Sequence, residues 1–337
     1  MIQRSTDRFQ PGVPRRRGRP ALLGGALALG LALWVVLAAC GGAPETSGSS
    51  PAPSSPVTPA PGATAGPTST ASPSSGPPSG SPPVTPSGTR FPSPSPSTLP
   101  SPSCPSDNAL RSWYYVPGES HGRPAIPDDA ARLLHKNGGR YLGDTGEKVV
   151  YLTFDEGYEN GFTGRILDAL RDAGVEATFF VTGAYVRGNP ALVRRMADEG
   201  HIVANHTDSH PSLPSLARDR TAFAREIRAT EKAFAKATGH SMARLLRPPM
   251  GEYSALSMCR TQRLGYATVF WSFAHRDWLV DDQPPVALTL ERILAGSHKG
   301  AIYLLHAVSR SNAEALPRAI AGLRAQGYRI GALTELR

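Results

Sequence analysis

Beyond residue 107 the apolar positions fall into short runs rich in β-branched and aromatic side chains, at 149–154, 177–182, 202–205, 244–247, 267–271, 301–305 and 328–333. Runs of this length match buried strands. Between several of them lie longer stretches of helical character, 191–199, 223–238 and 312–326, each followed by a glycine that can stop a helix: Gly200, Gly239 and Gly327. Strand and helix therefore alternate, which demands a mainly parallel sheet with helices outside it. A closed or distorted barrel and an open doubly wound sheet both satisfy that pattern. The stretch 107–147, with Trp113, Tyr114 and Tyr115 near its start, is turn-rich and reads as an N-terminal extension packed on the domain at 148–337.

The first 106 residues follow another pattern. Arg4, Arg8, Arg15, Arg16, Arg17 and Arg19 precede an uncharged apolar run from 21 to 39, the order of a secretory signal, here residues 1–40. The run ends Leu37-Ala38-Ala39-Cys40 with Gly41 and Gly42 behind it, which resembles a bacterial lipobox. Cys40 would then carry lipid and anchor the protein to the outer face of the membrane. An uncleaved signal-anchor helix is the alternative, and both place the rest outside the cytoplasm. Residues 41–106 are almost wholly Pro, Ser, Thr, Gly and Ala, with no apolar periodicity to offset the entropy of folding. They read as a disordered tether into the cell wall, and much of the chain's 33 prolines lies there.

Export changes the meaning of the charge. Of the formal +9, the six arginines and Asp7 of the first 40 residues account for +5, leaving +4 for the mature chain, so nucleic acid is not implied. Three cysteines become two once Cys40 is lipidated, leaving Cys104 and Cys259 free to pair in an oxidising compartment. Sequence alone does not supply the geometry such a bond needs.

The reactive side chains are placed consistently. Asp155 and Glu156 follow the first strand of the regular pattern, His206 and His210 the third, Arg247 the fourth and His306 the sixth. In α/β barrels the C-terminal strand ends form the rim where active sites are built. Taken singly, His206 and His210 could be solvated loop residues, the carboxylate pair an acidic turn, and His306 a buried histidine satisfied by a carbonyl. Taken together, two imidazoles with a nearby carboxylate suit a catalytic zinc with an open position. Of the adjacent Asp155 and Glu156, one is expected to bind metal and the other to act as base.

At this point the residues resemble a family. Thr153-Phe154-Asp155-Glu156-Gly157, the 206–210 segment, Arg247-Pro248-Pro249-Met250-Gly251, the 271–278 block and Leu304-Leu305-His306 are similar, in order, to the five motifs of carbohydrate esterase family 4, the NodB-type polysaccharide deacetylases. Tyr158-Glu159-Asn160-Gly161, Val269-Phe270-Trp271-Ser272 and the 309–316 string resemble its delta-lactam-biosynthetic, peptidoglycan-deacetylating subgroup. The resemblance implies a distorted (β/α) barrel of about seven parallel strands and N-deacetylation of an amino sugar, N-acetylmuramic acid of peptidoglycan first. N-acetylglucosamine polymers, chitin or acetylxylan are alternatives, and a catalytically degenerate wall-binding module is the alternative of another class.

The same resemblance implies Asp155 as base, braced by Arg247; His306 as general acid, held by Asp277; and His206 and His210 as ligands of a divalent metal, zinc by preference. Trp271 or Trp278 would line the acetyl pocket, with Met250 and Tyr158 also on the substrate side. Glu156 departs from the pattern, standing where the family has a metal-binding aspartate. A monomer with peptidoglycan and the membrane as partners completes the expectation.

Overall fold

The computed structural model describes residues 103–335. The leader, Cys40 and nearly all of the expected tether lie outside the described residues. Among the described residues no helix is long and apolar enough to cross a membrane.

The strands are β1 (Arg111–Ser112), β2 (Val149–Glu156), β3 (Thr178–Val181), β4 (Ile202–Asn205), β5 (Leu245–Leu246), β6 (Glu252–Tyr253), β7 (Ala267–Thr268), β8 (Phe273–Ala274), β9 (Ala301–His306) and β10 (Arg329–Ile330). The helices are α1 (Asp128–Lys136), α2 (Thr163–Ala173), α3 (Gly183–Gly188), α4 (Pro190–Asp198), α5 (Leu213–Leu216), α6 (Arg220–Thr238), α7 (Ala255–Arg263), α8 (Val286–Ala295) and α9 (Arg310–Ala325). β7, β5, β4, β3, β2, β9 and β8 pair in that order, every pair parallel. β10 pairs with the first two residues of β2, below the point where β3 begins. The result is the distorted (β/α) barrel that the alternation and the family resemblance imply.

The period of two along each strand divides the side chains between two cores. From β2, Val150, Leu152 and Phe154 pack under the outer helices with Ile166, Leu170 and Leu316. Val149 and Tyr151 point to the barrel interior with Phe180, Ala204, Ile302 and Leu304. The glycine stops are as expected: Gly200, Gly239 and Gly327 all adopt positive φ, where a Cβ would be strained.

Two features depart from what the sequence predicts, and a third was open in it. Segments 128–136, 163–173, 255–263 and 286–295 are helices that the reading left unassigned. Of the run expected as one strand at 267–271, only β7 at Ala267–Thr268 is strand, and β8 begins beyond it at Phe273. The carbonyl of Trp271, between them, accepts the indole N–H of Trp113 at 2.9 Å instead of a ladder partner. Cys104 and Cys259, left open by the sequence, form a disulfide.

The N-terminal extension is part of the barrel's interior packing. Trp113 is 1% exposed and stacks on Phe270 at 4.3 Å. β1 adds antiparallel to β6, and the Tyr115 hydroxyl accepts the backbone N–H of Ala274 at 2.9 Å.

Candidate active site

Parity builds the site. Asp155 continues the interior-facing positions of β2, His306 those of β9, His206 those of β4, and Arg247 follows β5 on the same side. β2 and β9 pair Asp155 directly with His306. Arg247, fully buried, lies over the Phe180 ring at 4.1 Å and donates from Nη1 to Asp155 Oδ1 at 2.7 Å.

Burial alone would push the Asp155 carboxyl upward, but Arg247, His206 and His306 together outweigh it and hold its pKa below the ordinary value. His306 goes the other way. Burial opposes its charge, yet the Asp277 carboxylate, reached from His306 Nδ1 at 2.7 Å, raises its pKa, with Asp155 adding to the effect. Asp277 is also buried and is kept ionised chiefly by His306 against its desolvation. An anionic carboxylate and a protonated imidazole therefore stand side by side on adjacent strands.

The 206–210 loop brings the second imidazole close, with the His206 and His210 ring centroids 4.8 Å apart. Thr207 and His210 both have positive φ, 66° and 61°, unusual for residues with side chains. Side chains hold this backbone. Asn205 Oδ1 accepts Thr207 N–H at 2.8 Å, Thr207 Oγ1 accepts His210 N–H at 3.1 Å, and Glu226 Oε2 accepts the N–H groups of Asp208 and Ser209 at 3.0 Å each. Glu226, on α6, carried no local sequence signal, because its task arises only where the helix meets the loop.

Desolvation lowers the pKa of both histidines, that of His210 with His206 as its next cause, so both rings are neutral. His206 Nδ1–H donates to the Arg247 carbonyl at 2.8 Å, which leaves the Nε2 lone pair facing Asp155 Oδ2 at 3.5 Å. That lone pair is free to hold a cation beside the Asp155 carboxylate. Among the described residues no three His, Cys, Asp or Glu side chains already meet as a metal cluster. The fit is thus one of donor type, two neutral imidazoles beside one carboxylate, and by that criterion it suits a divalent metal.

Glu156, expected among the metal ligands, is placed elsewhere. The strand runs through it, so the alternation that turns Asp155 inward turns Glu156 toward the helices, near Glu159 and Tyr185. It is fully buried, neither oxygen finds a well-formed hydrogen bond, and burial followed by Glu159 and Asp155 raises its pKa well above the ordinary value. Adjacent acidic residues share a site only in a turn, and this one is a strand.

Of the remaining expected residues, two tryptophans lie against the site. The Trp278 ring lies 5.8 Å from that of His306. Trp271 is nearly buried, its ring 5.8 Å from the Arg247 guanidinium. Met250 and Tyr158 are 43% and 53% exposed, Met250 with φ of 58°.

Comparison with known proteins agrees with this fold. The polysaccharide deacetylase family model matches residues 142–269. Over 225 residues the chain is 42% identical to the peptidoglycan-N-acetylmuramic acid deacetylase PdaA of Bacillus subtilis (strain 168), covering 67% of this chain and 85% of that protein. The structure of B. subtilis PdaA, a family 4 carbohydrate esterase, matches with a TM-score of 0.66 at 41% identity, over 68% of this chain and 97% of that one. A family 4 carbohydrate esterase from Bacillus anthracis matches with a TM-score of 0.57 at 40% identity, over 68% and 96%. A parallel α/β barrel with a carboxylate and an imidazole paired at its rim provides a base and an acid for hydrolysis. The chain belongs to the polysaccharide deacetylase family, enzymes that remove acetyl groups by hydrolysis.

Proposed function

We propose that the protein removes the N-acetyl group of N-acetylmuramic acid in peptidoglycan, acting outside the cytoplasm on a lipid anchor at Cys40. The observation that carries the chemistry is the registered pair Asp155 and His306, held in opposite protonation states by Arg247 and Asp277. The similarity to PdaA supports the substrate.

Asp155, with Oδ1 fixed by Arg247, has Oδ2 available to take a proton from the water that attacks the acetamide carbonyl carbon. His306, its Nδ1–H engaged by Asp277, presents Nε2–H to the nitrogen that departs as the C–N bond breaks, giving acetate and a free amine. A divalent cation held by His206 and His210, zinc by preference, would supply Lewis-acid stabilisation of the developing oxyanion. The backbone N–H near Met250 would assist it, and Trp278, beside His306, would wall the acetyl group.

The test is acetate release from purified peptidoglycan, after chelator treatment and after return of zinc, cobalt or magnesium. Metal-stimulated release with new free amines on muramic acid is expected. New amines on glucosamine would move the substrate to the other sugar. No release with any metal from peptidoglycan, chitin or acetylxylan would overturn the proposal in favour of a wall-binding module.

A further inference from the structure

Asp277 is a buried carboxylate whose rotation decides where its oxygens point. Oδ1 accepts His306 Nδ1–H at 2.7 Å, while Oδ2 accepts the His306 backbone N–H at 2.8 Å and Asn312 Nδ2–H at 2.5 Å. Asn312 is 1% exposed and stands at the third position of α9, its backbone N–H accepted by the N-cap Ser309 at 3.1 Å. Its second Nδ2 proton goes to the His306 carbonyl at 3.1 Å, and its Oδ1 faces His275 Nε2, also at 3.1 Å.

A side-chain amide can turn over, exchanging its oxygen and nitrogen. Here only one orientation works. Turned over, Asn312 would set its oxygen against a carboxylate and a carbonyl with no proton in between. His275, 8% exposed and kept neutral by burial, has one ring proton, and the contact with Asn312 Oδ1 places it on Nε2. His275 Nδ1 is buried without a hydrogen-bond partner, so the ring's hydrogen bond is the one to Asn312, with Nε2 also 3.8 Å from Asp277 Oδ2. Asp155, Arg247, His206, His210 and the Trp278 ring face His306, but none of them hydrogen-bonds Asp277; among the described residues its carboxylate is hydrogen-bonded by Asn312 and His306, with His275 Nε2 3.8 Å from Oδ2.

We propose that Asn312, oriented by His275, is a positioning residue of the deacetylation: it locks the Asp277 carboxylate so that His306 keeps its Nδ1–H on Oδ1 and its Nε2 toward the substrate. The inference rests on His306 as the general acid, so His306→Ala and Asp277→Asn are measured beside it in the full chain.

With peptidoglycan as substrate, Asn312→Ala is expected to lower kcat about tenfold to a hundredfold while KM stays within about threefold, because misaimed groups lose rate more than binding. The downfield proton resonance of His306 Nδ1–H, read in the metal-free protein, should shift or broaden in the same variant. His275→Phe, which keeps a ring and removes the N–H, should lower kcat several-fold, and His275→Gln, which restores an N–H, should recover most of that loss. If Asn312→Ala unfolds, the two His275 variants still decide the matter through kcat and the His306 resonance. Wild-type kcat and an unchanged resonance in Asn312→Ala or His275→Phe, with His306→Ala inactive, overturn the inference and leave the acid in place. Full turnover by His306→Ala overturns both.

Discussion

Asp155 and His306 work only in opposite charge states, so the rate should depend on pH through both. Asp155 must be ionised, and its pKa lies below 3.8; His306 must be protonated, and its pKa lies above 6.5. We expect kcat/KM to rise through the first value, fall through the second, and form a plateau wider than those two ordinary values would give. Asp277→Asn should move the alkaline limb toward acid. Glu156 makes the opposite kind of prediction. Its folded pKa is raised well above 4.5, so the folded state retains a proton that the unfolded chain releases, and stability falls as pH climbs from 4.5 to the folded value. Glu156→Gln removes that loss: its Tm should exceed the wild type's at pH 8 and match it near pH 4, with turnover little changed because the side chain faces away from the reacting groups. Asp155, His206, Arg247 and His306 were legible in the sequence because each sits at a strand end. The direction of Glu156 was not, since it depends on whether β2 stops before or after it.

At the level of elements, strands are legible in the sequence where burial on both faces makes continuous apolar runs, as in β2 and β9. Helices such as α2 and α7 are not, because their apolar positions are interleaved with arginines and polar residues. The loop at Tyr141-Leu142-Gly143 illustrates a constraint visible only in three dimensions. A Cβ on Gly143 would lie 2.0 Å from a ring carbon of Tyr151, whose side chain fills the barrel interior. Gly143→Ala should therefore cost about 1–3 kcal/mol, as overpacked core positions do, seen as a lowered urea midpoint with an unchanged m-value. The disulfide was open to sequence reasoning for a similar reason: Cys104 and Cys259 are 155 residues apart, and only β1, β6 and α7 together bring them near. Replacing both cysteines by alanine should cost about 2–5 kcal/mol.

For the molecule as a whole, the extension that the sequence sets apart at 107–147 is bound to the barrel by Trp113, by β1 and by the Tyr115 hydroxyl. A fragment beginning at residue 148 should fail to fold cooperatively, in contrast to one beginning at Ser103. Trp113→Ala within the full chain should cost about 3–5 kcal/mol, the usual loss for a buried aromatic, measured by chemical unfolding. The same connections determine how the domain bears force. A pull arriving along the chain at residue 103 meets Cys104 first and passes through the disulfide into α7. The load therefore bypasses β1 and Trp113, and the layer that closes the barrel interior carries no tension while the bond is intact. Reduction would reroute the same pull into β1, whose two short pairings with β6 would then be peeled one after the other.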